Sequence, residues 1–250
     1  MSLPLTLPSR KSEDWRYSDV DAAATLWPLP APERISVGEG ENAAQHFLQQ
    51  SADAAVIRDY MVDVAAGGSF AFHLLNIGGA LGRITFDVTL HRGATFDLKA
   101  AIIGGGDQTL EIVTTVRHVE PDAVSRQTVR SVLAGHATGS YLGKVAVARG
   151  AQGTDAAQSV KAMLMDRTAT ANAKPELEIF ADDVKCAHGA TVGELDKMAL
   201  FYCASRGLDP AAARTLLLQA FIAGLFDDMA DEADRERFEA AARAKMEALS

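Results

Sequence analysis

The sequence predicts a mainly β protein that ends in a helical region. Three observations support this class. Short segments in which apolar and polar residues alternate follow one another from about residue 54 to residue 190, and glycine-rich or polar breaks separate them. Beyond Gly193 the alternation stops and helical spacing begins. No stretch between the segments has the pattern of a crossover helix, which disfavours a doubly wound α/β fold.

The strands are predicted from their alternation. In the clearest case, Ile84, Phe86, Val88 and Leu90 share one face of a segment whose other face is polar. Strands repeated about every fifteen residues can stack as a sandwich, a barrel or a β-solenoid, and periodicity alone does not choose among them. Further segments of this kind lie at residues 95–103, 109–119, 126–133, 141–148, 159–165 and 176–181.

Three helices are predicted after the strands. The first ends at a cation followed by a glycine suited to a C′ position, Arg206 and Gly207. Asp209 and Pro210 supply the N-cap and first position of the second, and Asp231 caps the third. The residues at helical spacing are Leu195, Met198, Ala199 and Tyr202, then Leu217, Ala220, Phe221, Gly224 and Leu225, and finally Phe238, Ala241, Ala242, Lys245, Met246 and Leu249.

A short N-terminal arm is predicted before the strands. It is interrupted by prolines at positions 4, 8, 28, 30 and 32 and contains the aromatic residues Trp15 and Tyr17, which we expect to pin the arm to the body. The predicted organisation is an arm at residues 1–35, a β core at 36–192 and a helical region at 193–250.

Composition excludes several classes of protein. The chain has 33 acidic and 24 basic side chains, a net charge of −9 and no run of Lys or Arg, which argues against nucleic-acid binding. No apolar stretch approaches the roughly 18 residues of a membrane span, and the N-terminus lacks a signal-peptide pattern. Two cysteines are too few for a disulfide framework and are compatible with a reducing compartment. We therefore expect a cytoplasmic protein.

Cys186 and His188 are the candidate metal ligands. In an extended segment, side chains two positions apart point to the same face, so a thiolate and an imidazole could bind one metal. An iron–sulfur cluster normally needs about four such ligands, so a cluster here would be transient or shared with another chain. The alternative is that Cys186 fills a core gap and His188 is a turn residue.

Enzyme motifs are missing from the sequence. The segment at residues 139–144 differs from a phosphate-binding loop in its glycine spacing, and Val145 stands where Ser or Thr would bind magnesium. Asp182 and Asp183 are adjacent, so in a strand they would point to opposite faces rather than flank one bond. We therefore predict that the chain is not an enzyme.

Three segments resemble the SufD family of iron–sulfur cluster assembly scaffolds. They are RKSEDWRY at residues 10–17, LEIFADDVKCAHGAT at 177–191, and the helical stretch 200–221 with LFY at its start and SRGL at 205–208. Gly189 after the histidine is similar to SufD, whereas the SufB paralogues carry a glutamate there. The chain departs from the family pattern in having Ala187 for the usual serine, and it is shorter than the longer members in its N-terminal region.

The resemblance implies a right-handed parallel β-helix core, a short N-terminal arm and a C-terminal α-helical subdomain. It implies a scaffold in a complex with a SufB-like paralogue and a SufC-like ATPase, with self-association in isolation left open and no cofactor held stably by this chain. A nascent iron–sulfur cluster would form at His188, with Cys186 a less certain contributor and a SufB thiolate opposite. The implied ATPase-docking residues are Leu200, Phe201, Arg206, Gly207, Leu217 and Phe221.

Two other functions remain open from the sequence. A structural adaptor would leave Cys186 and His188 inert, so iron binding would not depend on them. A free-standing β-helix enzyme acting on carbohydrate would need carboxylates or basic residues clustered on successive strands, and the sequence shows no such ladder.

Overall fold

The computed structural model describes residues 7–249, so residues 1–6, including Pro4, and Ser250 lie outside it. In this part of the chain, twelve strands form two six-stranded sheets, the odd-numbered strands in one and the even-numbered strands in the other. The strands are β1 Glu33–Val37, β2 Asn42–Gln49, β3 Ala55–Val64, β4 Ser69–Asn76, β5 Leu81–Leu90, β6 Thr95–Gly104, β7 Thr109–His118, β8 Val124–Leu133, β9 Thr138–Val147, β10 Asp155–Leu164, β11 Thr170–Ile179 and β12 Lys185–Glu194.

Two consecutive strands make one coil of a solenoid. Each strand pairs in parallel with the strand two places along the chain: Leu81 of β5 lies beside Thr109 of β7, which lies beside Thr138 of β9. A sandwich or barrel of hairpins would have antiparallel neighbours. The structure therefore excludes both, and it confirms the parallel β-helix that the resemblance implied.

Side chains from the two sheets fill the space between them. Tyr60, Phe72 and Phe86 form one aromatic cluster, in which ring centroids are 4.8–5.1 Å apart. Phe70 stacks on Phe96 of the next coil at 6.2 Å. The same face of each sheet points inward in every coil, so the alternation read from Ile84 to Leu90 marks the inner face, as predicted.

One corner of the solenoid repeats in the coils before the last one and explains part of the glycine spacing. Gly93 has φ +64° and donates its N–H to the carbonyl of Pro121 in the next coil. Asp122 holds the corresponding position of that coil with φ 64° and donates to the carbonyl of Gln152. Glycine adopts this left-handed conformation without a steric penalty, and aspartate is among the few other residues that tolerate it.

The N-terminal arm is docked on the outer face of the odd-numbered sheet. It contains a 3₁₀ turn, Glu13–Trp15, and the short helix α1, Val20–Ala24. The Trp15 ring lies 4.0 Å from the guanidinium of Arg83, which also donates to the Asp14 carbonyl at 2.8 Å. The expectation that aromatic residues pin the arm is confirmed for Trp15.

Three helices follow the last strand: α2 Lys197–Ser205, α3 Pro210–Ile222 and α4 Glu232–Glu247. The predicted caps are present, since the carboxylates of Asp209 and Asp231 accept from backbone N–H groups and Gly207 has φ +87°. The second helix ends at Ile222, before the predicted Gly224, because the chain leaves the helical conformation at Ala223, which has ψ 143°. Gly224 follows in the left-handed conformation with φ +84°.

The helices cover the outer face of the even-numbered sheet. Phe238, Ala242 and Met246 of α4 are buried, as the helical spacing predicted. They join Ile103 and Val132, which point outward from β6 and β8, in a second apolar cluster. The His73 ring contacts the Asp228 carboxylate at 2.9 Å and adds a polar contact between sheet and helices.

Within residues 7–249, none of the helices combines the length and the apolar character that crossing a membrane requires.

Candidate functional site

The last strand, β12, positions Cys186 and His188. Its register with β10 places Cys186 beside Ala156 and His188 beside Gln158. Two residues further along β10, Val160 belongs to the buried core between the sheets. Because side chains two residues apart share a face, Cys186 and His188 both lie on the inner side of the solenoid wall.

The coil that carries this pair is uncovered in the described part of the chain. There, β12 pairs only with β10, and β11 only with β9, so each strand has one edge with unpaired backbone groups. His188 is exposed and Cys186 is half-buried. Two apolar side chains of the same coil are also exposed: Phe180, in the turn between β11 and β12, is 59% exposed, and Val192 of β12 is 50% exposed. The end of the solenoid is therefore accessible to another molecule.

Protonation of the Cys186 thiol affects its readiness to bind a metal. Burial raises the pKa of the Cys186 thiol; a hydrogen bond with the backbone of Ala156 opposes this effect, and the Asp155 carboxylate adds to it. The thiolate, not the thiol, is the metal ligand. At neutral pH the sulfur of the unbound Cys186 therefore carries its proton, which would have to leave when a metal binds.

We expect alkylation of Cys186 by iodoacetamide to rise with pH, with a midpoint above that of a free cysteine derivative. The reason is that only the thiolate attacks and the raised pKa delays its formation. The measurement is a pH–rate profile by mass spectrometry in a Cys203→Ser background, which leaves one thiol. A midpoint below that of a free cysteine derivative under the same conditions would contradict the raised pKa.

The ligand count of the site is low. Among residues 7–249, no three His, Cys, Asp or Glu side chains are grouped so that they could hold a metal ion. Other histidines are engaged elsewhere; His46, for example, contacts Asp234 at 3.1 Å. Cys186 and His188 would be two ligands, fewer than the roughly four that an iron–sulfur cluster takes.

A second exposed feature lies on the helices. Phe201 of α2 is 68% exposed, whereas Leu200, Leu217 and Phe221 are half-buried. Arg206 and Gly207 lie at the exposed end of α2, where the guanidinium is 5.2 Å from the Tyr202 ring. Sequence reasoning missed several residues of this face. The exposed large apolar residues, hereafter the α2–α3 surface, are Met198, Phe201, Tyr202 and Leu216.

Comparison with known proteins gives the family. The family model described as "SUF system FeS cluster assembly, SufBD core domain" matches residues 34–221, which include all of the strands except the first residue of β1. The chain belongs to the SufBD family. The resemblance that we noted in three sequence segments is therefore confirmed.

Individual SufBD relatives agree with this assignment. The chain is 32% identical to an iron–sulfur cluster assembly SufBD family protein of Synechocystis over 194 residues, 76% of this chain and 43% of the relative. It is 32% identical to the chloroplastic protein ABCI7 of Arabidopsis thaliana over 80% of this chain and 43% of the relative. It is 32% identical to the iron–sulfur cluster assembly protein SufD of Escherichia coli over 64% of this chain and 38% of the relative. The matches span less than half the length of these relatives.

Proposed function

We propose that this SufBD-family chain is a non-catalytic, cytoplasmic scaffold subunit for iron–sulfur cluster assembly. In this proposal it shares a nascent cluster site with a SufB-like paralogue and docks a SufC-like ATPase. The observation that carries the proposal is the position of His188 and Cys186, side by side on an uncovered terminal coil, with fewer donors than a cluster needs.

The uncovered coil favours a protein partner as the source of the missing donors. Unpaired strand edges are templates for another strand, and apolar side chains at an interface lose their contact with water on assembly. Both features surround His188, because β11 and β12 each have a free edge and Phe180 and Val192 are exposed. A paralogue that binds to the β11–β12 coil would bring its own thiolate within reach of the His188 imidazole.

The α2–α3 surface favours a second partner at a different place. It lies on helices outside the solenoid wall, and its apolar side chains are more exposed than is usual for such residues. In the proposal an ATPase binds here. Nucleotide turnover would then move the paralogue and this chain relative to each other, so that iron and sulfide reach His188.

The test is co-expression of the chain with SufB-like and SufC-like proteins under anaerobic conditions. Iron and acid-labile sulfide are then measured in the complex after size exclusion. We expect His188→Ala to lower both by about tenfold or more, since loss of a ligand should cost at least what loss of its supporting contacts costs. His136→Ala is the matched control, because the His136 side chain is 70% exposed and remote from β12 in sequence.

The controls separate the rival functions. Unchanged iron and sulfide in the His188→Ala complex, with the complex intact, would mean that His188 is not a ligand and that the chain is a structural adaptor. Failure of the wild-type chain to associate with either partner would favour a free-standing β-helix protein or a homodimer.

A further inference from the structure

A polar residue lies directly behind His188 inside the solenoid. The register of the even-numbered sheet places His188 beside Gln158, and Gln158 beside Gln127 of the coil before. All three lie on the inner face. Neighbouring strands are about 4.8 Å apart, so in-register side chains on one face are within hydrogen-bonding reach of each other.

Contacts across the core hold the Gln158 amide. Gln158 is 3% exposed, and its nitrogen donates to the hydroxyl of Tyr141 at 3.2 Å. The same hydroxyl is 3.1 Å from the hydroxyl of Thr114. Burial raises the pKa of Tyr141 to about 12, so the phenol is neutral at physiological pH. Gly143 makes room for this ring, because a Cβ at that position would collide with the Tyr141 hydroxyl.

The Gln158 oxygen is left without a partner among the described residues, although it is buried. A buried acceptor without a donor costs free energy, so a donor that can reach it is favoured. Two nitrogen donors lie beside it on the same face: the Gln127 amide of β8, which is buried and itself without a partner among the described residues, and the His188 ring of β12. The His188 ring is exposed and makes no hydrogen bond to Gln158 in this structure.

We infer that Gln158 is a positioning residue for His188: its amide oxygen accepts a hydrogen bond from one ring nitrogen. Tyr141 and Thr114 fix the direction of that amide. Such a bond selects one tautomer and one ring orientation, and it leaves the lone pair of the second nitrogen for a metal. The relevance of this contact to cluster assembly rests on the proposed function, but the contact itself is a property of the chain alone.

The test reads the tautomer of His188 directly. Ring ¹⁵N shifts are measured by long-range ¹H–¹⁵N correlation on the isolated chain at about pH 8, where a histidine of ordinary pKa is neutral. The His188→Ala spectrum assigns the signal. We expect the wild-type His188 ring to hold predominantly one tautomer, and Gln158→Met to move its two shifts toward the tautomer mixture of a free histidine.

Two further variants test whether the Gln158 amide is what orients the His188 ring. Tyr141→Phe keeps the ring but removes the hydroxyl that anchors Gln158, so it should weaken the tautomer preference as well. Gln127→Met removes the amide on the other side of Gln158, which leaves the Gln158 oxygen with His188 as its neighbouring donor, so the tautomer preference of His188 should persist or strengthen. Circular dichroism establishes that each variant is folded.

The two proposals fail in different ways. If the His188 shifts are the same in wild type, Gln158→Met and Tyr141→Phe, then Gln158 does not position the ring, whatever the iron content of the complex. If the shifts respond but His188→Ala leaves iron and sulfide unchanged, the contact exists and the cluster function is wrong. If both proposals hold, Gln158→Met should lower iron content less than His188→Ala does.

Discussion

Replacing Arg83 by methionine should lower the free energy of unfolding by about 3–5 kcal/mol, because it breaks a buried ion pair from one side. Arg83 is 2% exposed and Glu111 is fully buried, with 2.8 Å between Nη1 and Oε2. Without the guanidinium, the Glu111 carboxylate would be buried and uncompensated. The variant would also lose the Trp15 stacking contact and the bond to the Asp14 carbonyl that hold the arm.

The measurement is urea unfolding monitored by circular dichroism. Two control variants test whether the loss comes from burial of the ion pair. Arg117→Met breaks the exposed pair with Asp87 on the same sheet and should cost no more than about 1 kcal/mol. The double variant Arg83→Met with Glu111→Leu removes both charges and should recover much of the loss, since Arg83 Nε and Glu111 Oε1 lack partners among residues 7–249. Equal losses for Arg83→Met and Arg117→Met would show that burial does not strengthen the Arg83 pair.

Phe201→Asp should weaken binding of the proposed ATPase partner by roughly 30- to 1,000-fold, the range of an interface hot spot. Phe201 is 68% exposed, and beside it on α2 Met198 is 71% exposed, so the change places a charge within an apolar patch. A carboxylate buried there on binding would lose its hydration without gaining a partner. Isothermal titration calorimetry with the purified partner gives the dissociation constant.

The matched control is Ala240→Asp, which adds the same charge to the exposed side of α4 and should leave affinity unchanged. Far-UV circular dichroism checks that α2 remains folded in both variants. Unaltered affinity in Phe201→Asp would mean that the partner does not bind the α2–α3 surface.

Local chemistry made parts of this fold predictable. Asp209, Asp231 and Gly207 mark helix ends through contacts with residues only a few positions away, and these predictions agree with the structure. The alternation in β5 likewise showed its inner face. Strand β11 begins well before its predicted start, because Ala171 and Ala173 differ too little from their neighbours to give a clear alternation.

Features that depend on distant residues were not predictable from the pattern. Leu81 meets Thr109 only through the coil between them, so alternation could not distinguish a solenoid from a sandwich; the family resemblance did. Spacing placed Met198 and Tyr202 on one stripe of a helix but did not show that this stripe faces solvent. Cys186 and His188 were found from their spacing, whereas Gln158 behind them requires the register between β10 and β12.

The position of His188 on a terminal coil has a consequence for local stability. In a solenoid, stability is nearly a sum over coils and their contacts with neighbours, and the coil formed by β11 and β12 has a neighbouring coil on one side only in the described part of the chain. This coil should therefore open by local unfolding more readily than the coils behind it. A partner that continues the sheets would supply the second neighbouring coil. The β11–β12 coil, with His188 and Cys186, would then become more stable when the partner binds.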